Sequence, residues 1–253
     1  MEPLSFITYM VLGFAGFFAG LVDAIAGGGG IISLPVLLSV GIPPHLALGT
    51  NKLQGSFGTM TSTLNYRRSG LVKIRETVQG ICFTALGALA GTVTIQHISA
   101  DFLGQVIPVL LLAVFLYTLF SPDMGEKDGI ARMPEGVFYA AAGMGLGFYD
   151  GFFGPGAGSF WMIAFVFFCR MNLKKATAHT KIMNFTSNII SLLAFVAGRN
   201  VLFAAGLVMG HGQMVGAFLG SHLVVIRQVK FVRVCFLTVV ALTIANLLYT
   251  TYM

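Results

Sequence analysis

From Val106 to Leu119 the chain carries no charged residue, and comparable apolar runs recur along its length. Such runs cannot face water, and crossing a lipid core takes roughly 20 predominantly apolar residues. Inside lipid no water satisfies backbone N–H and C=O groups, so the crossing elements must be α-helices or strands of a closed barrel. Barrel strands alternate polar and apolar side chains, which these runs do not. With 56% hydrophobic and 9% charged residues, the expected class is an all-α, polytopic membrane protein.

The formal charge of +6 then concerns orientation. Its basic residues sit in short loops between apolar runs, which argues against a nucleic-acid partner. Cys82, Cys169 and Cys235 lie in or beside apolar segments without metal-ligand spacing, so neither a metal site nor a disulfide framework is expected. No nucleophile with a base and no metal cluster marks an enzyme, and no cofactor is called for. The first apolar run lacks the basic residues of a signal peptide and is read as a retained helix.

Gly, Pro and polar punctuation divides the chain into helical segments at about residues 4–26, 31–41, 45–66, 76–96, 102–120, 135–153, 157–170, 173–197, 201–225 and 232–252. The second and seventh are too short to cross alone, at about 1.5 Å per residue against a ~30 Å core. Each is expected to pair with the segment before it as a broken or re-entrant hairpin. The domain reading is a first repeat over 1–122, a cytoplasmic linker over 123–134 and a second repeat over 135–253.

Orientation follows the Lys/Arg bias of short loops. Arg67, Arg68, Lys73 and Arg75 mark the loop after the third segment as cytoplasmic, and Lys127 with Arg132 do so for the linker. In the second half the basic loops fall elsewhere, at Arg170, Lys174 and Lys175 and at Arg227, Lys230 and Arg233. Equivalent loops therefore carry opposite bias, and two inverted five-segment repeats are expected, with both termini extracytoplasmic. Two parallel halves are the competing arrangement and would make the Arg199 loop cytoplasmic.

The halves repeat a motif. Gly16-Phe17-Phe18-Ala19-Gly20-Leu21-Val22-Asp23, running into Gly27-Gly28-Gly29-Gly30, returns 127 positions later as Gly143-Met144-Gly145-Leu146-Gly147-Phe148-Tyr149-Asp150, running into Gly154-Pro155-Gly156-Ala157. Corresponding breaks in two halves of a membrane protein point to a transporter's binding site, because unwound backbone there can face a substrate instead of lipid. Gly16, Gly20, Gly143 and Gly147 have GxxxG spacing and are read as helix-packing positions. The run Gly154 to Ser159 lacks the strand and the Gly-Lys-Ser/Thr ending of a nucleotide loop.

Further on, Asn51-Lys52 is matched by Thr180-Lys181. An ionisable side chain at mid-membrane costs about 2.5–3.5 kcal/mol on insertion scales and is by default a functional hypothesis. Lys181, Asn184, Asn188 and Ser191 share one helix face; Lys52, Ser56, Thr59 and Thr63 make a similar stripe. Two ammonium groups, the polar groups of Asn51, Thr180 and Asn184, and backbone N–H groups at Gly28, Gly29, Gly30, Gly156 and Gly158 favour a small anion. His179 adjoins the motif and is a candidate lining residue. Asp23 and Asp150 are candidates for proton coupling or for a structural ion pair, either with the lysine of the other half or with that of their own. His45, His97, His211 and His222 read as polar packing, and Trp161, Tyr117, Tyr249 and Tyr252 as interfacial anchors or packing residues.

The pattern Gly20 to Gly30 followed by Leu34-Pro35 and Thr50-Asn51-Lys52, with Gly147 to Pro155 and Ala178-His179-Thr180-Lys181 in the second half, resembles the TauE/SafE sulfite exporter family, also called the toluene sulfonate uptake permease family. The resemblance spans essentially the whole chain and is nearest to the YfcA-type branch. It implies a bacterial inner-membrane permease moving sulfite, sulfonates or related organosulfur anions. The expected partners are a small anionic substrate and the lipid bilayer, and a homo-oligomer is compatible with the sequence. An anion channel or a carrier for small carboxylates are the alternatives. Asn51 against Thr180 and Gly55 against Asn184 make any site pseudo-symmetric at best.

Overall fold

The computed structural model describes residues 4–107, 109, 112 and 128–226. Among these the secondary structure is helical: α1 (Phe6–Ala26), α2 (Gly29–Ser39), α3 (Pro44–Arg68), a 3₁₀ turn (Ile74–Thr77), α4 (Val78–Gln96), α5 (Glu135–Phe152), α6 (Ala157–Phe168), α7 (Leu173–Ala197) and α8 (Phe203–Ile226). A further helical stretch covers 100–107. The expected segments 102–120 and 232–252 lie largely or wholly outside the described residues, as do Tyr117, Tyr249, Tyr252 and Cys235.

Local chemistry sets the boundaries. Ser5 caps α1 by accepting from Thr8 N at 3.2 Å, and Asn172 caps α7 by accepting from Lys175 N at 3.1 Å. Pro44 begins α3 at a position where the missing N–H costs nothing. α1 stops where Gly27 turns left-handed at φ 76°, and α6 starts after Gly154 and Gly156 at φ 97° and 80°. Only glycine visits that region without strain.

The segments from Phe6, Ile74, Leu173 and Phe203 are long and apolar enough to cross a membrane. Their outer faces expose Phe6, Phe14, Leu86, Leu193, Val215 and Phe218, as lipid-facing surfaces do. α3 differs: it carries Thr50, Asn51, Lys52, Gln54, Ser56, Thr59, Ser62 and Thr63, all buried. It is long enough to span but polar, so it occupies the centre with apolar helices around it.

Close glycine contacts fix the helix directions. α1 packs along α8, with Gly16 against Met209 and Gly20 against Gln213; α3 follows α8 in the same sense, with Gly206 against Leu53 and Gly210 against Phe57. α4 packs along α5, with Gly143 against Phe83 and Gly147 against Thr84. α7 runs with α4: Thr84 faces Met183 and Thr92 bonds Ser191 at 2.8 Å. α3 and α7 run oppositely, with Gly49 beside Phe195 and Gly55 beside Asn188. Thus α1, α3 and α8 point one way and α4, α5 and α7 the other.

The short helices α2 and α6 have 11 and 12 residues, too few for a ~30 Å core. α2 packs back beside α1, Leu34 and Leu37 sharing an apolar cluster with Leu12. A second cluster gathers Tyr66, Phe138, Trp161, Phe165 and Ile182. Trp161 is fully buried, which makes it a packing residue. The buried charged residues Asp23, Lys52, Asp150 and Lys181 belong to neither cluster.

Candidate functional site

The two glycine breaks meet. A Cβ on Gly158 would sit 2.5 Å from Gly27 Cα, and one on Gly30 would sit 3.1 Å from Pro155 Cα, so the backbones touch with no room for side chains. That approach brings the last turn of α1 and the first turn of α6 together with the polar stripes of α3 and α7.

Both predicted lysines end in this layer, each paired with the acid of the other half. Lys52 Nζ lies 2.6 Å from Asp150 Oδ1 and also donates to the Asp150 backbone carbonyl. Lys181 Nζ lies 3.1 Å from Asp23 Oδ2, a looser pair than Lys52 with Asp150. All four side chains are buried. Moving an ion out of water costs several kcal/mol even after relaxation, which explains why each charge has an opposite partner.

Hydrogen bonds tie the pairs to their surroundings. Ser187 Oγ donates to Asp150 Oδ2. Gly29 N, at the start of α2, donates to Asp23 Oδ1 at 3.4 Å. Asn51 Oδ1 accepts from Ser33 Oγ at 2.5 Å and from Gln54 Nε2 at 2.8 Å, joining α2 to α3. Three further amide oxygens, on Gln54, Asn184 and Gln213, are buried without a hydrogen-bond partner among the described residues.

These groups line a small cavity of about 30 Å³, room for little more than a water molecule. Of the predicted residues, Asp23, Gly30, Asn51 and Lys52 line it from the first half and Asp150, Gly158 and Asn184 from the second. The amino-terminal ends of α2 and α6 reach it through Gly30, Ala157 and Gly158, adding the partial positive charge of two helix starts.

The remaining predictions fall around the cavity without lining it. Lys181 contacts Asp23, which does line the cavity, and Thr180 is fully buried with its hydroxyl unpartnered among the described residues. Gly28 and Gly156 are the caps preceding α2 and α6, and Gly29 acts through Asp23. His179 faces elsewhere: its Nδ1 contacts the Lys175 carbonyl at 2.9 Å, and it lines a separate cavity of about 430 Å³ with Lys73, Asp128 and Arg170. Gln54 and Gln213 were not anticipated. Gln213 is a lone amide in a glycine-rich apolar helix, and that isolation is the one signal the sequence carries for it.

The sequence profile of the family described as sulfite exporter TauE/SafE matches residues 12–247. The chain belongs to the TauE/SafE family. Its relatives include "Probable membrane transporter protein YfcA" of Escherichia coli (strain K12), 43% identical over 242 residues that cover 96% of this chain and 90% of that protein. "Probable membrane transporter protein ORF9" of Sinorhizobium sp is 42% identical, covering 92% and 89%. A Haemophilus influenzae "Probable membrane transporter protein" is 43% identical, covering 86% of each. No solved structure matches the chain. This TauE/SafE member is therefore a multi-pass bacterial membrane transporter and not an enzyme.

Proposed function

We propose that the protein is a secondary transporter of small anions, sulfite, sulfonate or related organosulfur anions, working by alternating access between two inverted repeats. Residues 1–122 and 135–253 are the repeats, 123–134 the cytoplasmic linker, and both termini face away from the cytoplasm. The opposed directions of α1, α3 and α8 against α4, α5 and α7 support the inversion.

One observation carries this reading: two acid–lysine pairs cross between the halves where both glycine breaks meet. An anion can compete with a carboxylate for an ammonium group. Lys52 and Lys181 then hold its charge while Asn51, Thr180, Asn184 and the amides near the breaks orient its oxygens. Rocking of one half against the other would break contacts at the Gly27–Gly158 meeting point and expose the site to one side.

The test is uptake and efflux in proteoliposomes with sulfite, thiosulfate, sulfonates and small carboxylates. Saturable flux of an organosulfur anion, reduced at least tenfold (~1.4 kcal/mol of transition-state stabilisation) in Lys52→Ala and Lys181→Ala, is expected. Flux unchanged in both variants contradicts the assignment.

A further inference from the structure

The two acid–lysine pairs occupy equivalent places in the two copies of the repeat, yet they are held differently. Asp150 is satisfied on both carboxylate oxygens, Oδ1 by Lys52 at 2.6 Å and Oδ2 by the Ser187 hydroxyl. Asp23 has one long hydrogen bond, from Gly29 N to Oδ1 at 3.4 Å, and its Oδ2 meets only the Lys181 ammonium among the described residues. Lys181 Nζ lies 3.1 Å from Asp23 Oδ2, a longer contact than the 2.6 Å between Lys52 and Asp150.

The cause is legible in the residues. Ser187 stands 129 positions after Gly58, the same offset that relates Lys52 to Lys181, so the hydroxyl that steadies Asp150 has no counterpart beside Asp23. The space next to Gly58 is taken by Gln213, whose Nε2 would lie 2.5 Å from a Cβ there. By the same offset Gln213 stands where the other copy has Thr84. Asp23 thus shares its cavity with unpartnered acceptors, the oxygens of Gln54, Asn184 and Gln213. A carboxylate amid surplus acceptors is where a proton is best accommodated, because protonation converts an acceptor into a donor.

Charge balance points the same way. Two lysines and two carboxylates leave the layer neutral, and an added monovalent anion would leave it negative in a buried setting, which is costly. A proton on Asp23 restores neutrality and frees Lys181 to face the anion. The other charged and titratable groups near Asp23 are Tyr66 on α3, whose hydroxyl donates to the Ala24 carbonyl at 2.7 Å, and the Lys52–Asp150 pair across the cavity. α8 contributes the neutral amide of Gln213, and α2 the Gly29 N–H.

We propose that Asp23 is the coupling-proton site, taking up one proton for each monovalent anion carried, while Asp150, satisfied on both oxygens, keeps its charge. This rests on the anion-carrier reading above and adds its coupling ion and stoichiometry. The predicted transport is electroneutral.

The test uses the full chain in proteoliposomes with labelled methanesulfonate, a sulfonate whose charge does not change over the working pH range. A gradient of about one pH unit, acid on the side of origin, should support accumulation approaching tenfold, indifferent to an imposed potassium diffusion potential. Asp23→Asn should accumulate to a ratio of about one, because an uncoupled carrier only equilibrates; Asp23→Glu should recover part of the coupling. Independently of any variant's folding, a hydrophobic carbodiimide, which attacks protonated carboxyls, should label Asp23 and spare Asp150 in the unmodified protein, read by mass spectrometry. Accumulation by Asp23→Asn equal to the unmodified protein, accumulation set by the membrane potential, or labelling at Asp150 in place of Asp23 overturns the proposal alone. Absence of saturable flux for methanesulfonate and every other anion tested overturns it together with the anion-carrier reading.

Discussion

Lys52 and Asp150 illustrate what a buried ion pair does for a membrane protein. Each charge is stable in the interior because of the other, so removing one partner costs more than removing both. Lys52→Met should lower unfolding stability in detergent by about 3–5 kcal/mol by stranding the Asp150 carboxylate, and the double change Lys52→Met/Asp150→Leu should recover most of that loss. A double variant as unstable as Lys52→Met would mean that the two residues are not coupled. The candidacy of these residues was legible in the sequence, because a lysine inside an apolar repeat is conspicuous. Their pairing was not: Lys52 and Asp150 lie 98 positions apart, and composition alone permits each lysine to pair with the acid of its own half. Gln213 was harder still, since a single amide carries no charge and no periodic partner.

Among the elements, the broken hairpins carry the functional geometry and tolerate the least change. Gly27 has φ 76°, and a Cβ there would approach Gly158 Cα at 2.6 Å. Gly27→Ala therefore meets a left-handed backbone penalty of about 1–2 kcal/mol and a backbone clash that only separation of α1 from α6 relieves. It should reduce transport severely, whereas Gly41→Ala should cost only the backbone term: it has a similar φ of 82° but nothing within 4 Å. Equal transport by the two variants would contradict the role of the meeting point. Helix positions were readable because apolar runs end at Pro43, Gly70 and Gly198; α3, expected over 45–66, spans Pro44–Arg68.

The loop segment from Asp128 gives a pH-dependent element. Asp128 accepts from Lys175 Nζ at 2.5 Å and from Asn172 N at 2.7 Å, and Gly129 N bonds the Arg170 carbonyl at 2.8 Å, tying this segment to the start of α7. The Lys175 hydrogen bond is foremost in holding the Asp128 carboxyl below its ordinary value of 3.8. A depressed carboxylate pKa stabilises the folded tie above the unfolded value and loses that contribution as pH falls through the folded value. Hydrogen exchange at residues 128–132 should accordingly be protected to the same degree, after correction for intrinsic rates, between about pH 5 and 7. Protection should decline only below the ordinary carboxylate range. Asp128→Asn should remove the pH dependence; its persistence would assign the tie to other groups.

For the whole molecule, the decisive feature is a polar layer enclosed by helices of opposite direction and shared by both halves. Among the described residues the order of elements followed from apolar runs and glycine breaks, and the loop charges suggested the inversion. The enclosure itself depends on side-chain packing between distant segments, such as Gly58 against Gln213, which no periodicity encodes. The central claim is that one cavity serves both sides in turn. Its most direct test places a single cysteine at the cavity-lining Asn188, in a background with Cys82, Cys169 and Cys235 replaced, and measures reaction with a membrane-impermeant thiol reagent in right-side-out and inside-out vesicles. Labelling from either side, suppressed in both cases by saturating transported anion, is the predicted result; labelling from one side only, indifferent to the anion, would contradict it.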